Sequence, residues 1–208
     1  MFSWAVHRGG IVRGRQIAWY QLGEDELIAE VNPEAFLLRK LKTKSITQAV
    51  GLLTSADLDS YATSEKTSGV VSVCCVTTVG LSNALRAGDP PSEVPRSIGT
   101  INTLCYISNP LRLEAYLEAT ALASEARTTA VLESRVLSSQ TSLPATGTGT
   151  DCIVITAPNA VSKLREKKLK CFKYVGKHTE IGSFVGQTVY EATRSGIQKW
   201  IVAKGKHE

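Results

Sequence analysis

The sequence predicts an α+β fold, an α/β sandwich in which helices pack on a mixed, largely antiparallel sheet. Three observations predict it. Two Val- and Ile-rich strands, "GVVSVCCVTTVG" and "IGTINTLCYIS", follow each other with no helix between them, so a purely parallel sheet is not implied. A long stretch rich in Ala, Leu and Glu has helical spacing and comes next. A third apolar strand, "CIVITAP", then precedes a final amphipathic stretch.

The first part of the chain predicts short elements. Residues 4–31 contain apolar runs separated by glycines, which is typical of short antiparallel strands. Pro33 fits the first turn of a helix over "PEAFLLRKL". Residues 45–63 predict a short helix, then a strand or turn, then a second short helix capped by Thr54 or Ser55.

The later elements are longer and better defined. "GVVSVCCVTTVG" is apolar on both faces, which indicates a central strand covered on both sides. "AGDPPSEVP" is a polar loop before the next strand, and Asn109-Pro110 is expected to open the long helix, with Asn as the cap. After "CIVITAP" and a basic segment, "EIGSFVGQTVYEATRSGIQKWI" predicts the last helix. Its apolar stripe consists of Val185, Val189, Ala192, Gly196 and Trp200.

Length and composition favour one domain over residues 1–208, since 43% of residues are hydrophobic and 21% are charged. No apolar run is long enough to cross a bilayer and the start lacks a signal-peptide pattern, so we expect a cytoplasmic protein. The net charge is +5, and "KLREKKLK" is interpreted as a solvated face, with an anion-binding patch as the alternative. Because aromatic residues are sparse and no groove-binding motif is present, we expect no nucleic-acid partner.

The five cysteines favour reduced thiols. Their number is odd, no C-x-x-C pair occurs, and no Cys/His set has the spacing of zinc ligands. Most lie among Val and Ile, where a free thiol behaves as a small apolar group. We therefore expect buried free thiols, a reducing compartment and no metal site.

Four stretches combine glycine with Thr, Ser or Asn beside the end of a strand or helix. They are "TTVGLSN" (77–83), "GTINTL" (99–104), "TGTGTD" (146–151) and "GKHTEIG" (176–182). Small hydroxyl and amide groups bind polar ligands, and glycine lets a ligand approach the backbone. Each alone has a structural explanation, such as a turn or satisfied polar groups in the core. Together they predict one shared polar cleft.

His178 is the candidate base of this cleft. Thr179 is predicted to cap the last helix, which places His178 at the start of that helix and Glu180 in its first turn. A neutral imidazole can take a proton from water or a hydroxyl. The alternative is a histidine that only bonds to the backbone where the helix begins.

The segments "TTVGLSNALRAGDP", "GTINTL", "TGTGTDCIVI" and "YVGKHTEIGSFVGQTVYEA", with "VGLLTSADL" before them, resemble the adenosylcobinamide amidohydrolase family from about Val50 to Ala192. The resemblance implies hydrolysis of the amide that joins aminopropanol to a corrin propionate. The products would be adenosylcobyric acid and 1-aminopropan-2-ol, in corrinoid salvage. The corrinoid would be a small-molecule substrate, and no cofactor is expected. Both a monomer and an oligomer are compatible with the sequence. The alternative function is a non-catalytic corrinoid- or nucleotide-binding protein.

Amide hydrolysis needs an attacking oxygen, a stabilised oxyanion and an acid for the leaving amine. No G-x-S-x-G elbow is present, so we expect activated water, with His178 as base and then acid, oriented by Asp151 or Glu180. A threonine nucleophile in "TGTGTD", Thr148 or Thr150, is the rival. The expected substrate contacts are backbone N–H groups of Gly147, Thr148, Gly149 and Thr150 for the oxyanion, Thr78, Asn83 and Asn102 for the corrin amides, and Lys177 for negative charge.

Overall fold

The computed structural model describes residues 1–23, 26, 32–91, 99–159 and 169–205. Several predictions therefore lie wholly or partly outside the described residues. They concern the polar loop "AGDPPSEVP" beyond residue 91, the apolar run "ELIAEV" and the basic segment up to residue 168.

The described elements are ten strands, three α-helices and one 3-10 turn. The strands are β1 (Phe2–Ser3), β2 (Gly10–Ile11), β3 (Ile17–Gln21), β4 (Val50–Thr54), β5 (Ala62–Ser68), β6 (Val71–Val79), β7 (Ala84–Leu85), β8 (Ile101–Ile107), β9 (Gly147–Thr148) and β10 (Cys152–Thr156). The helices are α1 (Pro33–Thr43), α2 (Leu113–Glu133) and α3 (Glu180–Lys204), and the 3-10 turn is Leu58–Ser60. No α-helix among them is long and apolar enough to cross a membrane.

The central sheet has six strands in the order β2-β1-β10-β8-β6-β5. Among the described strands of this sheet, only β8 and β10 pair in parallel, and α2 makes the crossover between them. The other neighbours in this sheet are antiparallel. The predicted α+β fold with a mixed, largely antiparallel sheet is therefore confirmed. Two small sheets, β3-β4 and β7-β9, accompany it.

Two predicted elements differ in the structure. The long helix begins at Leu113, three residues after Pro110, because residues 110–112 hydrogen-bond to Phe172 instead. Within residues 45–63, the predicted strand or turn is β4, but turns replace the first helix and a 3-10 turn replaces the second. That 3-10 turn is capped by Asp57, whose side chain accepts a hydrogen bond from Asp59 N–H. The prediction of a cap at Thr54 or Ser55 is therefore wrong.

Helices α2 and α3 cover one face of the sheet. Alternate residues of the central strands point to them, and an alanine every three or four residues on α2 lets that helix pack closely. Four residues of the predicted stripe on the last helix, Val185, Val189, Ala192 and Gly196, are buried. A Cβ on Gly196 would lie 2.6 Å from Cγ2 of Val79, so the close approach of this helix to β6 at that position requires glycine.

Among the described residues, the opposite face is covered at one end only. Sheet β3-β4 packs there over β8 and β10. Along β8, Asn102 is 1% exposed whereas Tyr106 is 39% exposed. Along β6, Thr78 is buried whereas Ser72 and Cys74 are half-buried. In the part of the chain that the structure describes, the face is thus closed at the amino end of the β8-β10 pair, where these strands begin, and open at the carboxyl end, where they finish.

Candidate functional site

Three of the four polar stretches meet at the amino end of the β8-β10 pair. The antiparallel register of β6 and β8 puts Thr78 opposite Asn102, and the parallel register of β8 and β10 puts Cys152 beside Asn102. The stretches "TTVGLSN", "GTINTL" and "TGTGTD" therefore become neighbours in space. The expected convergence holds for these three.

The Asp151 carboxylate links two of these stretches, "GTINTL" and "TGTGTD", by hydrogen bonds. Its Oδ1 accepts hydrogen bonds from Ile101 N–H at 2.9 Å and from Thr148 Oγ1 at 2.5 Å. Its Oδ2 accepts from Thr148 N–H at 2.9 Å and from Arg127 Nη1 at 2.8 Å. The side chain is 7% exposed. Four donors occupy the carboxylate, which therefore orders the loop before β10.

The glycine pattern of "TGTGTD" follows from this carboxylate. A Cβ on Gly147 would lie 2.3 Å from Asp151 Oδ2, so only glycine fits there. The N–H of Thr148 donates to Asp151, and the N–H of Thr150 lies 3.4 Å from Thr148 Oγ1. Both N–H groups therefore make hydrogen bonds within the loop, which contradicts the expectation that they bind an oxyanion. Gly149 is exposed.

Thr78, Asn83 and Asn102 were expected to bind the corrin amides. The structure buries Thr78 and Asn102, which are 2% and 1% exposed. Asn102 Nδ2 donates to Leu53 O at 2.6 Å, so this side chain joins the sheet to β4. The expectation of an accessible side chain is wrong for these two residues. Asn83 is half-buried, and its Oδ1 would lie 2.5 Å from a Cβ on Gly99.

The hydroxyl of Thr78 provides a test of the structural interpretation. Thr78 Oγ1 is buried without a hydrogen-bond partner in the described structure, and such a group costs about 1–3 kcal/mol. We expect Thr78→Val to leave the free energy of unfolding unchanged or raise it by about 1 kcal/mol, with unchanged turnover. Urea unfolding and a turnover assay check this. A stable variant with lost turnover would show that the hydroxyl contacts the substrate.

The fourth stretch, "GKHTEIG", lies at the carboxyl end. Thr179 caps α3 as predicted, because its Oγ1 accepts a hydrogen bond from Gly182 N–H at 3.0 Å. A Cβ on Gly182 would lie 2.1 Å from Gly176 O, so the chain before the helix passes closely over its first turn. Thr179 and Glu180 line a cavity of about 560 Å³ together with Val71.

The position of that cavity separates His178 from Asp151. Val71 begins β6 and lies at the carboxyl end of the β8-β10 pair, whereas Asp151 bonds to Ile101 at the amino end. The seven residues of β8 separate the two ends by about 20 Å. Asp151 therefore does not orient His178, and the expectation that all four stretches share one cleft is wrong for the fourth.

The ring of His178 is exposed and lies against Gly176, whose Cβ position is 3.2 Å from His178 Cε1. Among the described residues, no hydrogen bond joins this ring to Glu180, which is also exposed. Lys177 forms an ion pair with Glu125 on α2. The three polar side chains at the start of α3 are thus accessible to a ligand.

The sequence analysis missed the other walls of this cavity. They include Lys170, Cys171, Phe172, Lys173 and Tyr174. Lys170 Nζ lies 5.3 Å from the Phe172 ring centroid, and Lys173 Nζ lies 5.1 Å from that of Tyr174. The signal was the alternation of Lys with aromatic residues in "KCFKY", which indicates cation-π pairs rather than only a solvated basic face.

A family model described as adenosylcobinamide amidohydrolase matches residues 1–205 of the 208. The chain belongs to the adenosylcobinamide amidohydrolase family. No curated protein matches it, and no solved structure does. The match extends the resemblance seen from about Val50 to Ala192 to the N-terminal segment that contains β1–β3 and α1. The protein is therefore a hydrolase that acts on an amide, with adenosylcobinamide as its substrate.

The buried thiols of this adenosylcobinamide amidohydrolase are poor nucleophiles. Burial raises the pKa of Cys105 to about 12 and that of Cys152 to about 12. Burial also raises the pKa of Cys75 well above its usual value. Because the thiolate is the reactive form, a raised pKa makes these three thiols unreactive. They are packing residues of the core, as the sequence predicts. All five cysteines are free.

Proposed function

We propose that this chain hydrolyses the amide between aminopropanol and a corrin propionate of adenosylcobinamide, in cytoplasmic corrinoid salvage. Water supplies the oxygen of the new carboxylate, and the C–N bond breaks. The products are 1-aminopropan-2-ol and adenosylcobyric acid. The family match over residues 1–205 carries the proposal and also supports a single domain. The free thiols support a reducing compartment.

We place the reaction at the carboxyl end of the β8-β10 pair. In open sheets, ligands bind outside the carboxyl ends of parallel strands, and the β8-α2-β10 unit is the parallel unit of this sheet. Two imidazoles are described. His7 is 8% exposed, and its Nε2 bonds to Thr47 O, whereas His178 is exposed at the start of α3. His178 is thus the imidazole that water and substrate can reach.

In this mechanism the ring of His178 takes a proton from the attacking water. The tetrahedral intermediate then collapses, and the imidazolium gives the proton to the leaving amine. Glu180, two residues further along, is the carboxylate placed to hold the imidazolium or the amine. Lys177, held near α2 by Glu125, contributes positive charge at the same end.

The rival threonine mechanism has one contact in its favour. Thr148 Oγ1 donates to Asp151 Oδ1 at 2.5 Å, which resembles a nucleophile beside its base. However, Asp151 also accepts from Arg127 and from two backbone N–H groups. Together with Thr148 Oγ1, these three donors occupy both oxygens of the carboxylate. The geometry thus favours a structural role for Asp151.

Incubation with adenosylcobinamide, followed by mass analysis of the corrinoid, tests the proposal. We expect loss of the aminopropanol group and release of 1-aminopropan-2-ol. Adenosylcobyric acid, which lacks the amide, is the control and should keep its mass. Binding of adenosylcobinamide with unchanged mass would contradict hydrolysis and support the alternative of a corrinoid-binding protein.

A further inference from the structure

The open part of the sheet face forms a second cavity at the carboxyl end, of about 850 Å³. Its walls include Arg13, Arg15, Trp19, Leu104, Tyr106 and Thr156. A neighbouring cavity of about 400 Å³ shares Arg13 and Thr156 with it and adds Tyr116. The two cavities therefore adjoin each other, and we call them together the β3 cleft.

The floor of the β3 cleft is apolar and aromatic. Leu104 and Tyr106 alternate along β8 with Cys105, which is buried beneath the helices, so they stand on the opposite face. Trp19 of β3 forms the side wall. Such a surface suits a broad, flat ligand, because aromatic rings and a leucine can contact an extended conjugated ring.

The polar groups of the β3 cleft are mainly donors. Arg13 and Arg15 are exposed, and neither guanidinium pairs with a carboxylate in the part of the chain that the structure describes. Trp19 Nε1 is buried and has no hydrogen-bond partner among the described residues. None of the described residues that line the 850 Å³ cavity is acidic. An unpartnered buried donor is costly, so a ligand with acceptor groups would relieve it.

We infer that the β3 cleft binds the corrin ring of the substrate. The inference rests on the proposed function and adds the place of binding. The ring lies on Leu104 and Tyr106, and carbonyl oxygens of its amide side chains accept hydrogen bonds from Arg13, Arg15 and Trp19. Ligand sites usually have about 300–1,000 Å³, so a cleft at the upper end of this range fits a macrocycle. Thr156 ends β10, so the cleft lies at the same end of the sheet as His178, on the face opposite to the helices.

Equilibrium dialysis with adenosylcobyric acid tests the inference, because this probe carries the corrin ring and is not hydrolysed. The variants are Arg15→Gln and Trp19→Phe, which remove donors and keep most of the side-chain volume. We expect the Kd to rise about tenfold for Arg15→Gln and about threefold or more for Trp19→Phe. Arg39→Gln, an exposed arginine on α1, is the matched control and should bind like wild type. Circular dichroism checks that each variant is folded.

The outcomes separate the cleft from the proposed function. If wild type releases aminopropanol while both cleft variants bind the probe normally, the β3 cleft is not the corrin site and the function stands. If wild type neither binds the probe nor releases aminopropanol, both are contradicted. Weaker binding in both cleft variants, with normal binding in Arg39→Gln, supports the inference.

Discussion

Asp151→Asn is expected to lower the free energy of unfolding by about 3–5 kcal/mol, the usual cost of breaking a buried ion pair from one side. The Arg127 and Asp151 side chains are 14% and 7% exposed, and their charged atoms lie 2.8 Å apart. The substitution leaves the guanidinium buried without its anion. It also forces an NH₂ group against Thr148 N–H, Arg127 Nη1 or Ile101 N–H. Urea unfolding followed by circular dichroism measures the loss.

Asp59→Asn is the matched control for this variant, because Asp59 is exposed in the 3-10 turn, and its substitution should change stability by less than about 0.5 kcal/mol. Under conditions in which Asp151→Asn is folded, turnover should stay close to wild type, since the carboxylate orders a loop far from His178. A stable Asp151→Asn variant without activity would show that Asp151 takes part in the reaction. A loss below about 1 kcal/mol would contradict the structural role.

The long elements of the fold could be predicted from local pattern. Strands β6 and β10 are rich in Val, Ile and Cys, and α3 carries its apolar stripe at helical spacing. Strand β5, "ATSEKTS", escaped prediction because it is an edge strand with a mostly exposed sequence. Its position depends on pairing with β6, which no local pattern shows.

The candidate site was only partly predictable, because clefts and structural clusters use the same residue types. "TGTGTD" precedes β10 and "GKHTEIG" follows it along the chain, so the two stretches lie at opposite ends of that strand. Chain order alone contains this signal once "CIVITAP" is accepted as a strand. The sequence could not show that Asp151 has four internal donors, because Arg127 and Ile101 are distant in the chain.

The second large effect is expected at His178. His178→Gln should lower kcat by about 10²–10⁴-fold, the usual contribution of a general base. The free energy of unfolding should change by less than about 0.5 kcal/mol, because the ring is exposed and makes no hydrogen bond with the described residues. Release of 1-aminopropan-2-ol from adenosylcobinamide measures the first quantity, and urea unfolding measures the second.

His178→Ala provides a readout that a structural role would not produce. Since the ring lies at the surface, free imidazole in the buffer can reach the space that the variant leaves, and it should restore part of the lost turnover. Binding of adenosylcobyric acid should stay at the wild-type level, because the base acts on the proton of water and not on the corrin. Near-normal turnover of His178→Gln would show that His178 is not the general base. An acyl-enzyme trapped on Thr148 or Thr150 would then favour a threonine nucleophile at the amino end of the sheet.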